Sequence, residues 1–566
     1  MTAVQTGEAS FREIRENSYY YVDKTGFIEE LFRHCPPVAS LIARPPKFGR
    51  TLMLDMLSEF FDIRRDSRAL FDGLAISKNK ELCDKWMNQQ PTVLFSFRGV
   101  VGPTYEEALE QVRKRVGELY ASFSFLADSE TLLGSDKMKL EALSAGKGDR
   151  AELCSSLYRL CRMLRKHYGK YVIVLIDEYD VPLAAAQKNG YYPEMIDFVR
   201  SMLGCTLKDN RYLEFGIVVG CLKINSGTIF SGCNFTYADL SDFDYADKFG
   251  FTSKEVEDLL EAAGFPEKKD VVREWYGGYC AADDVELYCP QSVLQYVDDL
   301  QHDPKAMPKP YRKDFGCVET LRSFIGRKKW NIDRCIEDLL AGEHQGARLE
   351  EMVSYDAVYE YSEHMWSYLY YAGYLTQTSQ EQADNWKLYP FDRVSVLAVP
   401  NREVLELFAD AVLSWFKETM QKADRTELFD KFWAGDKERL TELLEWHLLK
   451  TISLYKVRED YYQAFLAGLF SCRDWDLCAG GKLGLGRPAV VLRDKKRARA
   501  AVIEVRRVES LKGLSKAAKE ALRLAESSRY VEALKAEHYE SVSLWGMAVC
   551  KSSCALRGGK RKGASA

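Results

Sequence analysis

Long apolar runs are missing from this chain. The aliphatic stretches are short, such as Val172-Ile173-Val174-Leu175-Ile176, against the roughly 18 to 20 residues a spanning helix needs. No membrane segment is expected. The N-terminus, MTAVQTGEAS, has no basic region followed by an apolar one, so no secretory signal is expected. Histidine is scarce: there are seven, none in HExxH or HxH spacing, which argues against histidine-based metal hydrolysis. The fifteen cysteines include no CxxC pair. Cys550 and Cys554, or Cys472 and Cys478, lie near each other without a second pair or nearby histidines, so a zinc site is not expected. An odd number of thiols without a signal reads as reduced cysteine in a cytoplasmic setting.

What remains is ordinary soluble composition, 46% hydrophobic and 29% charged, with mean hydropathy -0.30. At about 150 residues per domain, 566 residues suggest three or four domains. The net charge of -5 hides an asymmetry: from Gly486 to Ala566 there are 19 Lys and Arg against 8 Asp and Glu. A basic C-terminal part on an acidic body fits either a polyanion partner or a solvated face with a loose tail, RGGKRKGASA.

Three blocks emerge. Residues 1–300 alternate short β-branched runs (Leu41–Ala43, Val93–Phe97, Tyr171–Ile176, Glu214–Val219) with helical patterns such as Thr51–Phe61 and Glu194–Leu203. That alternation predicts a parallel α/β sheet. Residues 301–451, after a proline-rich boundary, read as helical by period, for example Lys437–Leu449. From residue 452 a helix pattern (Glu459–Leu469) leads to a Gly-rich stretch, a basic hairpin between Ala489–Leu492 and Ala500–Val505, a long helix Lys512–Lys535, and a strand Val542–Val549. This last block is set at 452–556, with a basic tail at 557–566.

Two segments carry chemistry. After the first strand comes Arg44-Pro45-Pro46-Lys47-Phe48-Gly49-Arg50-Thr51 and then a helix. Strand, loop and helix start are what a phosphate-binding loop needs, because backbone N–H groups and the helix N-terminus face the anion. Against GxxxxGK[ST], Gly49 and Thr51 fit, Arg44 replaces the first glycine, and Arg50 replaces the lysine. The buried-strand run Val172–Ile176 ends in Asp177-Glu178, the Walker B arrangement, in which one acid positions Mg²⁺ and the next orients water. Each segment alone also reads as an ordinary turn or a solvated strand end; together they favour nucleotide binding.

These residues resemble the AAA-ATPase-like proteins, a P-loop group related to STAND NTPases, that carry a C-terminal PD-(D/E)XK nuclease-like domain. Tyr21-Val22-Asp23-Lys24-Thr25 matches that family's YVDKT, RPPKFGRTLML its RPRRFGKTLLL, and Ile176-Asp177-Glu178-Tyr179-Asp180 its IDEYD. FGIVVGCLKI, Trp275-Tyr276-Gly277-Gly278-Tyr279, Ala372-Gly373-Tyr374-Leu375-Thr376 and Pro400-Asn401-Arg402-Glu403-Val404 have counterparts in the same order. The resemblance implies an N-terminal P-loop NTPase domain with parallel sheet and helical lid, a helical middle region, and a C-terminal α/β/α restriction-endonuclease-like domain. It implies ATP at Arg44, Lys47, Phe48, Gly49, Arg50 and Thr51, Mg²⁺ at Thr51 and Asp177, Glu178 as the water-orienting base, and Lys223 as a γ-phosphate sensor.

The departures from the family bear on activity. Arg50 keeps the charge of the family's lysine but is bulkier and forked, so binding is expected to survive with hydrolysis weakened. In the nuclease-like part, Glu459 fits the helix acid and Glu504 the strand acid. Ala489 replaces the metal-binding Asp of GRxD, and Arg506 replaces the lysine of IExK. An alanine cannot ligate metal, and an arginine stays charged, so cleavage is not expected. The basic hairpin residues Lys495, Lys496, Arg497 and Arg499 fit phosphate contacts and equally a solvated tip. The expected function is Mg-ATP binding by an AAA-ATPase-like protein, with nucleic acid or another protein as partner. The alternatives are an active ATP-dependent nuclease, with Asp494 standing in for Ala489, and an interaction scaffold.

Overall fold

The computed structural model describes residues 4–7, 10–33, 37–208, 210–224, 235–312, 317–325, 332–378, 394–449, 461–508, 510–550 and 553–560. The chain divides into two units, Met1–Tyr311 with Gly346–Glu403, and Arg312–Gln345 with Val404–Ala566. The stretch 301–451, read from the sequence as helical, therefore contributes to both, and besides helices it holds a three-stranded sheet of Gln345–Ala347, Thr376–Gln377 and Ser395–Ala398.

The first unit is built on a five-stranded parallel sheet: β1 (Ala39–Ala43), β2 (Thr92–Ser96), β3 (Val172–Asp177), β4 (Leu213–Gly220) and β5 (Phe235–Ala238), in the order β2-β3-β4-β1-β5. This is consistent with a P-loop NTPase-like fold. All six residues of β3 are buried, because a parallel sheet is covered on both faces and its strands read as continuous apolar runs. Helix α1 (Arg50–Phe61) follows β1 and buries Met53, Leu54, Met56, Leu57, Phe60 and Phe61 in the main core with Ile173, Leu175 and Ile217. Helices α2 (Tyr105–Ala121) and α3 (Tyr192–Leu207) complete the layers. The four strands read from the sequence are present. The fifth, β5, is too short for a periodicity argument and escaped that reading.

The conserved-looking segments outside the loop and the acids do structural work within this unit. Asp23 accepts hydrogen bonds from Thr25 N at 2.9 Å and from Ala75 N at 2.7 Å. Lys24 Nζ donates to Asp247 O and Glu255 Oε2, both at 2.7 Å. Tyr279 packs edge-on against Phe48 of the loop, with ring centroids 5.0 Å apart. Cys280 N donates to Thr376 Oγ1 at 2.8 Å, and Asn401 Nδ2 to Gly277 O at 2.7 Å. Residues of the Trp275–Tyr279, Ala372–Thr376 and Pro400–Asn401 segments thus meet beside the loop.

The second unit carries a mixed sheet of β6 (Asp476–Ala479), β7 (Val490–Asp494), β8 (Arg499–Arg507), β9 (Ser541–Cys550) and β10 (Ser553–Lys560), in sequential order. Only β8 and β9 are parallel. Their crossover is α4 (Leu514–Ser527) and α5 (Tyr530–Ala536). The expected single helix is broken at Arg529, which adopts a left-handed φ of 55°. Helix α4 turns Ala517, Ala518, Ala521 and Ala525 inward. A Cβ on Gly546 of β9 would come within 2.3 Å of Leu522 N, so glycine is required where helix and strand touch. Residues 557–560 of the expected tail are paired strand in β10; residues 561–566 lie outside the described residues. Among the described residues no helix is long and apolar enough to cross a membrane.

Gly278 has φ 77°, and a Cβ there would sit 2.1 Å from Pro400 O. Gly278→Ala should combine left-handed strain with a backbone clash and cost about 2–4 kcal/mol. Thermal unfolding of the variant checks this; an unchanged melting temperature would contradict the packing of these segments.

Candidate functional site

The parallel order places the loop after β1 and the acids at the end of β3 on one edge, the carboxyl ends of the strands, where α/β sheets bind ligands. Gly49 caps α1 with φ 85°. A Cβ there would meet nothing, so the glycine supplies backbone freedom rather than room. Thr51 Oγ1 donates to Asp177 Oδ2 at 2.8 Å, joining loop and strand end. Asp177 is 2% exposed, and its Oδ1 is buried without a hydrogen-bond partner. Arg50 Nη1 is likewise buried and unpartnered. A buried acceptor and a buried donor left unpaired are costly in a native fold.

Burial pushes the Asp177 carboxyl up, against the Thr51 hydrogen bond and the Arg50 charge. Burial and then the Asp177 charge push Glu178 up, against Arg50 and Arg98. Glu178 holds a left-handed φ of 53° and Lys47 one of 72°. Strain of this kind in a non-glycine residue gathers where a fold has been over-determined for function. Burial, followed by the charge of Arg98, lowers Lys47.

The rest of the acidic motif is a clasp. Tyr179 Oη donates to Leu222 O at 2.6 Å and accepts from Ile224 N at 3.2 Å. Asp180 Oδ2 accepts from Cys221 N at 2.8 Å. A Cβ on Gly220 would reach 2.5 Å from Tyr179 Cε1, so the strand end must be glycine for β3 and β4 to close.

Three residues expected at the nucleotide are engaged elsewhere. Arg44 N donates to Gly220 O at 3.1 Å. Its guanidinium donates to Ala43 O at 2.9 Å, Ala238 O at 3.2 Å and Tyr245 O at 3.0 Å. Burial lowers Arg44 to about 10, with Asp239 opposing. Arg44 therefore holds the stem of the loop. Phe48 is buried against Tyr279 and beside Gly250, so it anchors the loop's floor. Lys223, read as a phosphate sensor, is buried and paired with Asp239 at 2.5 Å and Asp242 at 3.4 Å. Burial pushes Asp239 up, but Lys223 and Ser241 outweigh it and hold the carboxyl below its usual range.

The sequence reading missed Arg98. It follows β2, whose Ser96 pairs in register with Asp177, and Phe97 N donates to Asp177 O at 3.0 Å. Its position just past the predicted strand Val93–Phe97 was the available signal.

In the second unit, Glu504 is buried and accepts from Tyr530 Oη at 2.7 Å. Burial raises Glu504, opposed by the Tyr530 hydrogen bond and then by Arg506. The pairing of β7 with β8 begins at Val490 and Ile503, so Ala489 and Glu504 lie just beyond its first rung. The Tyr530 hydroxyl also lies 2.3 Å from where a Gly486 Cβ would be. Arg506 is exposed and paired with Glu520 at 3.3 Å. Asp494, the suggested stand-in for Ala489, is bound by Arg499 at 2.9 Å at the far end of the strand. Glu459 lies outside the described residues. The hairpin cations are paired locally: Lys495 with Asp476 at 2.7 Å, Lys496 with Asp474 at 3.8 Å, and Arg497 with Asp494 at 3.5 Å.

Residues 5–230 match the model of a family described as predicted AAA-ATPase, AAA-ATPase-like. The chain is also 30% identical over 277 residues to an uncharacterized protein in the vnfD 5' region of Azotobacter chroococcum mcd 1. The match covers 48% of this chain and 48% of that protein, so the chain spans about half the length of the curated relative it matches. The family match points to nucleotide binding by the first unit.

A carboxyl whose folded pKa lies above its unfolded value, near about 3.9 for Asp, destabilises the fold while ionised and stops doing so once protonated in both states. Ligand-free Asp177→Asn should therefore melt higher than the natural chain at pH 7. The gap should narrow as pH falls through the raised pKa of Asp177 and close below the ordinary Asp value. A paired pH series of melting curves checks this; a variant less stable at pH 7 would contradict the buried, unpaired state of Asp177.

Proposed function

We propose that the first unit binds a nucleoside triphosphate, ATP, with Mg²⁺ at the loop Lys47–Thr51, and that hydrolysis is weak. The observation that carries this is the pair of unpartnered buried atoms, Asp177 Oδ1 and Arg50 Nη1, on the two residues that flank or make the Thr51–Asp177 hydrogen bond. A cation needs the first and a phosphate the second. The match over residues 5–230 supports the same reading. Thr51 and Asp177 are the residues that would hold Mg²⁺, which when bound neutralises phosphate charge. Backbone N–H groups at the start of α1 would face the phosphates. Glu178, held near the strand end, would orient the attacking water. Arg50 replaces a point charge by a planar fork, which suits binding better than tracking charge along the reaction.

We read the second unit as a nuclease-like domain without cleavage activity. Its support is the alanine at position 489, the Tyr530 hydroxyl on Glu504, and the engagement of Asp494 by arginine at the other end of the strand. Local pairing of the hairpin cations gives a nucleic-acid partner less support than sequence charge did. Surface pairs of this kind are worth only about 0–1 kcal/mol, so low-salt DNA retention still distinguishes the two.

Calorimetry should show Mg-ATP binding to the natural chain at micromolar to low millimolar concentration, lost in Thr51→Ala with Asp177→Ala. Arg50→Lys should raise turnover by about tenfold or more, which corresponds to about 1.4 kcal/mol of barrier. No binding by either the natural chain or Arg50→Lys would overturn the proposal. For the second unit, no Mg²⁺- or Mn²⁺-dependent cutting of DNA is expected; cutting that disappears in Glu504→Ala would overturn that part.

A further inference from the structure

We infer that Arg98, and not Lys223, is the cation that reads the terminal phosphate of the nucleotide. The inference rests on the Mg-nucleotide reading of the site and deepens it.

ATP differs from ADP by one phosphate and its charge. A residue that tells them apart must be cationic, lie beside the acids that serve that phosphate, and have its charge uncommitted in the free protein. Arg44 fails the last condition, because its guanidinium is spent on three backbone carbonyls. Lys223 fails it as well, because Asp239 and Asp242 already neutralise its ammonium. Drawing Lys223 to a ligand would leave two carboxylates behind, one of them 2% exposed, and stranding a buried charge is costly. Arg50 and Lys47 belong to the loop itself and would serve the inner phosphates of either nucleotide.

Arg98 meets all three conditions. Its backbone is fixed: Arg98 N donates to Ser96 Oγ at 3.1 Å, and Arg98 O accepts from Arg115 Nε at 3.1 Å and Arg115 Nη2 at 2.8 Å. The preceding residue is tied to Asp177 O. The side chain is exposed, and its guanidinium makes no hydrogen bond or ion pair among the described residues. Its charge acts on both Glu178 and Lys47, so it bears on the acids and on the loop. Gly99, with φ 76°, turns the chain away immediately afterwards, so the arginine stands at the end of a stiff stem. The built feature beside its stem is the end of β3, where Ser96 lies in register with Asp177 and the buried Asp177 keeps an unpartnered oxygen. A forked guanidinium is suited to a phosphate with two or three free oxygens.

The test is binding of Mg-ATP and Mg-ADP, by calorimetry, to the full chain and to Arg98→Gln, Arg98→Lys and Lys223→Gln, with melting curves to confirm folding. The natural chain should prefer ATP. Arg98→Gln should lower that preference by about tenfold, the size of one charge-assisted hydrogen bond, while ADP affinity changes by less than about twofold. Arg98→Lys should keep part of the preference. Lys223→Gln should lower the melting temperature and leave the preference in place. An unchanged ATP-to-ADP ratio in Arg98→Gln overturns this inference and leaves the nucleotide site standing. Loss of the ratio in folded Lys223→Gln alone returns the role to Lys223. Absence of Mg-ATP binding in the natural chain overturns the inference together with the site.

Discussion

The geometry of the candidate site in the first unit depends on one buried cation. Arg44 stands where phosphate loops have a glycine, and its guanidinium is bonded to backbone carbonyls at the ends of β1 and β5 and on the turn beyond β5. Desolvating that charge is expensive, and three carbonyls with Asp239 nearby offset the cost. The result is a loop whose stem cannot drift from the sheet. With the stem fixed, Gly49 starts α1 at a set angle, and Thr51 meets Asp177. The same turn supplies Asp239 and Asp242, which take Lys223 out of play.

A second constraint works from the other side. Tyr179 and Asp180 close the end of β3 onto the end of β4, and Gly220 permits the contact. The catalytic-looking motif therefore divides its labour. Asp177 and Glu178 face the loop, and the two residues after them are architecture. Burial raises both acids, so the free site carries an electrostatic cost that a divalent cation would relieve. Proteins commonly hold such unfavourable local arrangements where they bind charge.

The second unit shows the opposite condition. Its two buried carboxylates are both engaged within the fold: Glu504 accepts from Tyr530, and Asp494 is bound by Arg499. Hydrogen-bonding capacity that would otherwise be offered to a ligand is consumed within the fold. The surrounding arginines and lysines have found acidic neighbours of their own. A small-residue helix face, Ala517 to Ala525 against Gly546, keeps the sheet and crossover closely packed. The unit keeps a tight fold around a site with little left to coordinate.

Much of this was legible in the chain alone, because it is local. The strand, loop and helix around Gly49, the buried run ending in Asp177-Glu178, the hairpin and strands of the second unit, and helix Lys437–Leu449 all follow from periodicity and turn chemistry within a few residues. Four-residue β5 was not legible, since so short a run has no period, and the break at Arg529 lies in a stretch whose propensity is helical throughout. The destinations of the cations were beyond sequence in a deeper sense. Arg44, Lys223 and Arg98 are alike as charges on a list. Arg44 is separated from its carbonyl partner on Tyr245 by 201 residues, and Lys223 is claimed by a turn that only the sheet order brings near. Which charge is spent on the fold and which is left for a ligand depends on non-local partners, and the tertiary structure alone decides it.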